Sequence, residues 1–327
     1  MNILIEYAGI IPAIKYGGTE RAIWYLGKEL TKMGHHVTYL VLKGSSCDFA
    51  SILFYDREKT LAEQIPPSTD IIHFLSKNAE QIEKPYIVTI QGNCNDFREF
   101  DINTVFVSKD HADRFGSDSF VYNGMDWDDY GKPDLLNKRN YFHFLGDAAW
   151  RVKNVKGAID VINATKKERL KVLGGRRLNL NMGFRFTISP RVHFCGMVGG
   201  EKKNQLLQGS KGLIFPVKWS EPFGIALTES LYFGCPVFGT PYGSLPEIIN
   251  ERVGFLSNSK ERLSEEIENV NHYSRVTCHE YARDIFNSKK MAEQYLKKYF
   301  MVLNGEHLNK FPPKLKKIQA EKFLEWK

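Results

Sequence analysis

The sequence has few cysteines, and they form none of the spacings by which cysteines usually bind metals. Its 327 residues include only five, an odd number, with no C-x-x-C pair. The pattern therefore predicts neither a disulfide framework nor a zinc ribbon, and we expect a reducing, cytosolic setting with no bound metal. The five are Cys47, Cys94, Cys195, Cys235 and Cys278.

Long apolar runs are also missing from the sequence. No stretch approaches the roughly 18 apolar residues that a membrane-spanning helix needs. The opening residues, MNILIEYAGIIPAI, contain Glu6 and no basic leader, so we do not expect a cleaved secretory signal. We predict a cytoplasmic protein that could also work at the inner face of a membrane.

Two common nucleotide-binding motifs are absent. The loop after the first predicted strand, GIIPAIKYGGTE, lacks the G-x-G-x-x-G pattern that a NAD-binding Rossmann domain has there. The stretch GCPVFGTP has Thr and Pro where the phosphate-binding loop of an ATPase has Lys and Ser or Thr. These differences argue against a NAD-dependent dehydrogenase and against a P-loop ATPase.

The charge is moderately positive, since 45 basic and 38 acidic residues leave a net charge of +7. Such an excess favours anionic partners, among them sugar nucleotides and phospholipid surfaces. The basic residues are scattered and no aromatic-basic motif of the single-strand type is present, so we predict no nucleic-acid partner. The basic C-terminal stretch FPPKLKKIQAEKFLEWK carries Trp326, which could touch an anionic bilayer.

Short runs of β-branched and aromatic residues alternate with helical or turn-rich segments in two separate series. At about 150 residues per domain, the length predicts two domains. The alternation predicts an α/β fold with a parallel sheet in each domain. The predicted strands are MNILIEY, HVTYLVL, DIIHFL, YIVTI and TVFVS in the first series, and YFHFLG, LKVLGG, RVHFCG, GLIFPV and CPVFGT in the second.

A polar stretch separates the two series and sets the predicted domain boundary. This stretch, YNGMDWDDYGKPDLLNKRN, has the composition of an interdomain linker. We predict an N-terminal acceptor-side domain over residues 1–130 and a C-terminal domain over residues 131–305. Residues 306–327 form a basic tail that could be helical and pack back on the N-terminal domain.

One segment of the second series points to a bound ligand. A strand ends at Pro216, a loop carries Glu221, and Gly224 leads into a predicted helix that carries Glu229. In an open α/β sheet, ligands bind beyond the carboxyl ends of the strands, where a helix start directs free N–H groups at an anion. The two carboxylates are suited to accept hydrogen bonds from neutral hydroxyls beside that anion. The N–H groups that could hold a phosphate are those near Gly224, Ile225 and Ala226.

This segment resembles a known family. EPFGIALTE is similar to the signature of two glutamates separated by seven residues in glycosyltransferase family 4, the retaining nucleotide-sugar enzymes of GT-B fold. The resemblance implies two Rossmann-like domains that face a central cleft, and it covers most of residues 1–300. Further segments that resemble the family, in family order, are YGGTERAIWYLGKELTKMGHHVT, DIIH, VFVSKD, VYNGMD, KNVKGAIDVI and FGCPVFGTPYGSLPEII.

The resemblance implies a role for each matching residue of the C-terminal domain. Glu221 would contact hydroxyls of the transferred sugar, and Glu229 the ribose hydroxyls of the nucleotide. Lys153 matches the phosphate-binding lysine of the family and would stabilise the charge on the departing diphosphate. The backbone after Phe223 would hold the diphosphate. The segment HFCGMV resembles the one whose backbone reads the base, which places Met197 and Val198 near the base edge.

The N-terminal domain would contribute a glycine loop. The resemblance implies that Gly17 and Gly18, after the first strand, bring backbone close to the donor phosphate and sugar. Family members commonly have a His where this sequence has Gln91, and glutamine cannot exchange a proton. We expect Gln91 to orient the sugar by hydrogen bonds, unless His73 or His111 takes the place of the missing histidine. His73 has the position of a structural histidine, and His111 that of a helix cap or a solvated side chain.

A second departure concerns a basic residue. The family usually has an Arg soon after the glycine that ends the strand, but Asp147 follows Gly146 here and the loop is about one residue longer. Arg151 is the nearest candidate for the missing phosphate-binding Arg.

The resemblance as a whole implies an enzyme. It would move a sugar, such as a hexose, from a nucleoside diphosphate sugar to a hydroxyl acceptor with retention of configuration, and it would need no cofactor. Synthesis of a surface polysaccharide, a lipopolysaccharide or another glycoconjugate is the expected setting. A sugar-nucleotide epimerase of the same fold and a catalytically silent sugar-nucleotide-binding protein remain as alternatives.

Overall fold

The computed structural model describes residues 1–13, 17–75 and 82–327. These residues divide into two compact units. The N-terminal unit contains Met1–Asp126 and Phe286–Gln319, and the C-terminal unit contains Trp127–Ile285 and Ala320–Lys327.

The N-terminal unit is built on a six-stranded sheet with the strand order β3-β2-β1-β4-β5-β6, and every pairing in it is parallel. The central strands are buried along almost their whole length, because helices can cover both faces of a parallel sheet. The strands are β1 (Asn2–Glu6), β2 (His36–Val41), β3 (Ser51–Phe54), β4 (Ile71–Phe74), β5 (Tyr86–Ile90) and β6 (Thr104–Phe106).

The predicted first helix is present. It begins after Gly17, buries its apolar stripe, and is followed by Gly34, whose φ of 86° suits the left-handed turn that ends a helix. In the described residues of this unit, the helices are α1 (Gly18–Lys32), α2 (Leu61–Gln64), α3 (Lys109–Arg114) and α10 (Ser288–Leu303).

The C-terminal unit contains a second parallel six-stranded sheet, with the order β11-β8-β7-β12-β13-β14. A separate antiparallel ladder of two short strands, β9 and β10, lies between β8 and β11 in the chain. The strands are β7 (Tyr141–Leu145), β8 (Leu170–Leu173), β9 (Leu178–Asn179), β10 (Arg185–Phe186), β11 (Val192–Phe194), β12 (Ser210–Phe215), β13 (Val237–Gly239) and β14 (Gly254–Leu256).

Six helices accompany this second sheet, and the two sheets together confirm the predicted α/β class. The helices are α4 (Val155–Ala164), α5 (Gly200–Gln208), α6 (Ile225–Tyr232), α7 (Leu245–Ile248), α8 (Lys260–Glu268) and α9 (Arg275–Ile285).

The last long helix differs from its predicted place. We predicted that residues 131–305 form the C-terminal domain, but α10 belongs to the N-terminal unit. α10 packs there because two tyrosines on its buried face form hydrogen bonds with residues of the N-terminal sheet. The hydroxyl of Tyr299 lies 2.8 Å from His73 Nδ1, and that of Tyr295 lies 3.1 Å from the hydroxyl of Thr89.

The basic tail also differs from expectation, because residues 306–327 contain no helix. Residues up to Gln319 belong to the N-terminal unit, and only the last eight belong to the C-terminal unit. There the chain is held by backbone hydrogen bonds, from Leu324 to Lys218 and from Lys327 to Asn258, and Trp326 packs against the core. The tail lacks the apolar periodicity of an amphipathic helix, so its bonds are made to neighbouring segments instead.

None of the helices in the described part of the chain is both long enough and apolar enough to cross a bilayer.

A buried histidine should make the stability of the C-terminal unit depend on pH. His143 lies between the hydroxyls of Ser210 and Ser230, at 2.6 and 2.9 Å, and burial lowers its pKa from 6.5 to about 3. Between the folded pKa of about 3 and the unfolded pKa of 6.5, His143 carries a proton in the unfolded chain but not in the folded chain. The contribution of His143 to the free energy of unfolding therefore falls as the pH falls. From about pH 7 to about pH 5 the loss is about 2 kcal/mol.

Urea unfolding of wild type and of His143→Asn at both pH values measures this loss. We expect the variant to be less stable at neutral pH but to lose about 2 kcal/mol less on acidification. Exposed His272 offers a control, because His272→Asn should leave the pH dependence of the wild type unchanged. Equal losses in wild type and His143→Asn would contradict the expectation.

Candidate functional site

The candidate site of the C-terminal unit lies at the carboxyl ends of two neighbouring parallel strands, β7 and β12. The loop after β7 carries Lys153, and the loop after β12 carries Glu221. Because the carboxyl ends of parallel strands meet at the same edge of a sheet, the two loops come together there. The side chain of Asn154 joins them, since it donates to the carbonyl of Pro216 at 2.9 Å and accepts from the N–H of Gly157 at the start of α4.

Lys153 and Glu221 form a buried ion pair. The ammonium lies 2.6 Å from the Glu221 carboxylate, and the two residues are only 7% and 5% exposed. The indole N–H of Trp219 donates to the same carboxylate oxygen at 2.8 Å, and its ring lies 4.9 Å from the ammonium. A cation and a carboxylate withdrawn from water in this way attract each other strongly and are held in one geometry. The structure therefore brings together two of the residues that the sequence selected.

The start of α6 lies directly after this carboxylate. Gly224 caps the helix with a φ of 83°, no side chain caps it, and an added Cβ would stand 3.2 Å from Glu221 Cγ. The first N–H groups of a helix have no partner within it and carry partial positive charge. Phe223 and Ile225 are buried, whereas Gly224 and Ala226 are half-buried. The arrangement can attract an anion to the backbone next to Glu221.

A later segment of the chain fixes the Glu221 loop, and sequence reasoning assigned it no specific residue. The N–H of Ser244 donates to the Glu221 carbonyl at 2.9 Å, and the Ser244 hydroxyl donates to the Phe223 carbonyl at 2.8 Å. Gly243 has a φ of 64°, and an added Cβ would stand 2.2 Å from the backbone nitrogen of Glu221. Only glycine permits this approach, so Gly243 and Ser244 position the carboxylate.

Glu229 lies on α6 and belongs to a second buried ion pair. It is 1% exposed, accepts a hydrogen bond from the Tyr130 hydroxyl at 2.7 Å, and pairs with the ammonium of Lys203. Lys203 is itself buried, and its ammonium lies 5.0 Å from the centre of the Tyr130 ring. The sequence selected Glu229 but missed Lys203. Helical spacing did not single it out, because Lys202 and Lys203 each precede a leucine, Leu206 or Leu207, by four residues.

Arg151 does not join the Lys153–Glu221 pair. Its guanidinium lies over the ring of Phe323, 5.0 Å from the ring centre, and it lines a cavity of about 400 Å³. Neither Lys153 nor Glu221 is among the described residues that line this cavity. The role expected for Arg151 as a phosphate-binding residue stays a prediction.

Met197 and Val198 follow edge strand β11. Met197 is 40% exposed and Val198 is buried, and the turn before them contains Gly196 with a φ of 73°. Both residues therefore lie at the carboxyl edge of the same sheet as Glu221. Their contact with a base stays a prediction.

Gly17, Gly18 and Gln91 belong to the N-terminal unit. Gly17 stands at the start of α1 with a φ of 151°, and Gly18 is the first residue of that helix. Residues 14–16 of the same predicted glycine loop lie outside the described residues. Gln91 exchanges two hydrogen bonds with Asn123, at 2.9 and 3.1 Å, which fixes the orientation of its amide. The donor contacts of these three residues stay predictions.

The two histidines weighed as substitutes for a histidine at position 91 are structural. His73 is buried between Tyr299 and Thr89, as expected. The expectation for His111 was wrong, because it neither caps a helix with its ring nor faces solvent. Its ring is fully buried at 4.9 Å from that of Phe106. Burial lowers the pKa of each imidazole to about 3, so both are neutral near pH 7.

A resident metal is not indicated at the site by the residues that the structure describes. Among residues 1–13, 17–75 and 82–327, no three or more His, Cys, Asp or Glu side chains form a group that could hold an ion. The chemistry of the site is that of two carboxylates, two ammonium groups and a helix start.

Comparisons with known proteins agree with this geometry. Residues 127–285, just under half of the chain, match the family model described as Glycosyl transferases group 1. These residues contain both ion pairs and the start of α6. No curated protein matches the sequence of the chain.

Several solved structures share the fold of nearly the whole chain. One is AviGT4, a glycosyltransferase involved in avilamycin A biosynthesis, with a TM-score of 0.70 and 18% identity over 93% of this chain and 98% of that one. Another is the sucrose-phosphate synthase of Thermosynechococcus elongatus, with a TM-score of 0.71 and 16% identity over 93% of this chain and 100% of that one. The Anabaena protein HepE, solved with UDP and glucose, has a TM-score of 0.65 and 13% identity over 91% and 98%. At these identities the likeness is one of fold.

Proposed function

We propose that the chain is a glycosyltransferase that moves a sugar from a nucleoside diphosphate sugar to a hydroxyl acceptor with retention of configuration. The match of residues 127–285 to the glycosyl transferases group 1 model and the GT-B fold shared with solved glycosyltransferases support this proposal. One observation supports the proposal above the others. The buried Lys153–Glu221 pair lies beside the start of α6, which no side chain caps. A cation, a carboxylate that can accept hydrogen bonds from sugar hydroxyls, and backbone N–H groups that can bind an anion therefore lie together.

In the proposed complex the donor binds between the Lys153–Glu221 pair and the start of α6. Its diphosphate lies against the backbone N–H groups of Gly224, Ile225 and Ala226, where the positive end of α6 favours negative charge. Glu221 accepts hydrogen bonds from hydroxyls of the transferred sugar, and Glu229 from the ribose. An ionised carboxylate only accepts hydrogen bonds. Hydroxyl groups can donate to it, whereas an ionised phosphate has no proton to donate.

The proposed step breaks the bond between the anomeric carbon and the phosphate oxygen. The electron pair leaves with the nucleoside diphosphate, and the acceptor oxygen forms the new bond on the same face of the sugar. The acceptor proton goes to the departing phosphate or to water. Lys153 stabilises the negative charge that develops on the departing diphosphate. A fixed cation in a site without water stabilises this charge more than water does.

The setting and the partners are also part of the proposal. Because HepE was solved with UDP and glucose and a starch synthase with ADP, uridine and adenosine diphosphate sugars are the first donors to test. We propose a role in polysaccharide, lipopolysaccharide or other glycoconjugate synthesis. The five unpaired thiols support a reducing, cytoplasmic setting.

A thermal-shift screen followed by product analysis tests the proposed function. A ligand that binds only the folded protein raises its melting temperature, so UDP, GDP, ADP and their sugar conjugates can be ranked with purified protein. The donor that binds most tightly is then incubated with a mixture of sugar and lipid-linked acceptors, and the identity of the product shows which reaction the protein catalyses. Transferred sugar would support the proposal. An isomerised donor would indicate an epimerase, and binding without turnover a silent binding protein.

Replacing Glu229 by Ala should weaken the binding of a nucleoside diphosphate by about 1–3 kcal/mol, because the ribose loses its buried hydrogen-bond acceptor. Isothermal titration calorimetry measures this change. Inorganic pyrophosphate serves as the control ligand, since it has no ribose and its affinity should change little. Unchanged nucleotide affinity would contradict the assignment, and so would an equal loss for pyrophosphate.

A further inference from the structure

The β9–β10 hairpin of the C-terminal unit has its polar face turned inward. Arg185 pairs with Asn179 and Phe186 with Leu178 across the ladder, and cross-strand partners share a face. Arg177 lies on the inner face and donates to the carbonyls of Thr187 and Val192, each at 2.7 Å. The Arg185 guanidinium lies 4.9 Å from the centre of the Phe194 ring. Polar side chains therefore hold the hairpin to the unit.

The outer face of the hairpin is apolar. Leu178 and Phe186 share the face opposite Asn179 and Arg185, which reverses the usual pattern of a sheet with one solvated face. Six large hydrophobic side chains occupy every second position from 178 to 188 and remain more than half exposed, and those of Met182 and Phe184, near the tip, also line the neighbouring cavity. Isolated exposed hydrophobic residues are common, but a contiguous set of this kind marks an interaction surface. The six are Leu178 (51% exposed), Leu180 (72%), Met182 (63%), Phe184 (76%), Phe186 (56%) and Ile188 (81%).

Positive charge surrounds the tip of this hairpin. The cavity of about 400 Å³ next to Met182 and Phe184 is lined by four cations, and its described lining includes no carboxylate. Burial lowers the pKa of the Lys218 ammonium, and the positive charges of Arg151 and Lys156 lower it further. Crowded cations with no carboxylate between them favour the approach of an anion. The four are Arg151, Lys156, Arg185 and Lys218.

We propose that the β9–β10 hairpin docks on the surface of a bilayer that contains anionic lipids. Its outer apolar face enters the interface between headgroups and acyl chains, while the cations around its tip contact lipid phosphates. Such a surface needs apolar side chains and positive charge side by side, and both are present within one hairpin and its adjoining cavity.

The same charges argue against a second copy of the chain as the occupant. In a twofold dimer both copies use the same surface, so the interface would bring eight cations together, four from each copy, with no carboxylate from the described lining between them. A bilayer with negative headgroups complements the charge instead. The C-terminal tail, which the sequence suggested for membrane contact, is packed against the C-terminal unit, and its Phe323 lines the same cavity. Trp326 packs against the core, and the ring of Phe323 lies 4.7 Å from the Lys218 ammonium.

Sedimentation with vesicles tests the docking surface and requires no enzyme activity. We expect the full chain to bind vesicles of phosphatidylcholine mixed with phosphatidylglycerol much more tightly than vesicles of phosphatidylcholine alone. The double variant Leu180→Ser, Phe184→Ser should bind the anionic vesicles at least about tenfold more weakly. Lys156→Gln and Arg176→Gln should each weaken binding about fivefold, since both side chains are exposed beside the hairpin.

Matched variants outside the hairpin control for general hydrophobicity and charge. Leu136→Ser with Phe311→Ser removes one exposed Leu and one exposed Phe, at 95% and 69% exposure, and should leave vesicle binding unchanged. Lys290→Gln removes one exposed positive charge outside the hairpin and should also leave vesicle binding unchanged. Equal binding by wild type and the hairpin double variant would overturn the proposal, as would equal binding to neutral and anionic vesicles. A dimer that the hairpin double variant loses in sedimentation velocity would show a second copy as the occupant instead.

Discussion

Replacing Lys153 by Ala is expected to lower kcat by about 10²–10³-fold while weakening nucleotide binding much less. In the proposed reaction, the charge that Lys153 meets develops only as the diphosphate leaves, so its effect appears mainly in the transition state. The ammonium is buried and lies 2.6 Å from Glu221, which places it in a site where a fixed charge is little screened. Steady-state kinetics together with calorimetry for the nucleoside diphosphate separates the two effects.

Two variants keep this result interpretable. Lys153→Arg retains the charge and should recover part of the activity, although the planar guanidinium does not reproduce a compact ammonium. Lys167→Ala removes an exposed lysine after α4 and should leave kcat unchanged. Circular dichroism checks that Lys153→Ala still folds, because it leaves the Glu221 carboxylate without its cation. Equal losses in turnover and in nucleotide affinity would assign Lys153 to binding alone.

Replacing Lys203 by Met should destabilise the protein by about 3–5 kcal/mol, because it leaves the carboxylate of Glu229 buried without a cation. Glu229 is 1% exposed and the Lys203 side chain is 8% exposed, so water cannot take the place of the lost partner. Urea unfolding measures the loss. The double variant Lys203→Met, Glu229→Leu should regain most of the stability, since an apolar pair removes the cost of burying both charges.

The neighbouring lysine provides a matched control for this experiment. Lys202 precedes Lys203 on α5 but is exposed, so Lys202→Met should change the free energy of unfolding by no more than about 0.5 kcal/mol. If Lys203→Met were as mild as Lys202→Met, the ion pair would contribute little. If the double variant were no more stable than Lys203→Met, the loss would come from packing around the lysine stem.

Much of the fold and part of the site could be predicted from the sequence. The apolar runs that became β1 and β7 mark strands because a parallel sheet buries both faces, and this shows in consecutive residues. Gly34 ends α1 where predicted, since the left-handed turn needs a residue without a Cβ. Lys153 and Glu221 were selected through family resemblance, and the structure joins them.

Other features could not be predicted because they depend on segments far apart in the chain. Lys202 and Lys203 are identical letters in one helix, and only the packing of α5 decides that Lys203 turns toward Glu229. α10 packs in the N-terminal unit because Tyr299 and Tyr295 form hydrogen bonds with His73 and Thr89, which lie more than 200 positions earlier in the chain. The exposed face of the hairpin is equally invisible in the sequence, since alternation alone does not say which face is buried.

The sequence by itself therefore determined the buried strands of the two parallel sheets and the first helix, because these follow from side-chain periodicity over neighbouring residues. It missed the short strands β3, β9, β10 and β14, which have only two to four residues each and so show little periodicity. Only the tertiary structure decided which charges are paired, which helix belongs to which unit, and which apolar face stays exposed. The physical reason is that burial and ion pairing are set by distance in space, and the chain must fold before residues such as Lys153 and Glu221 become neighbours.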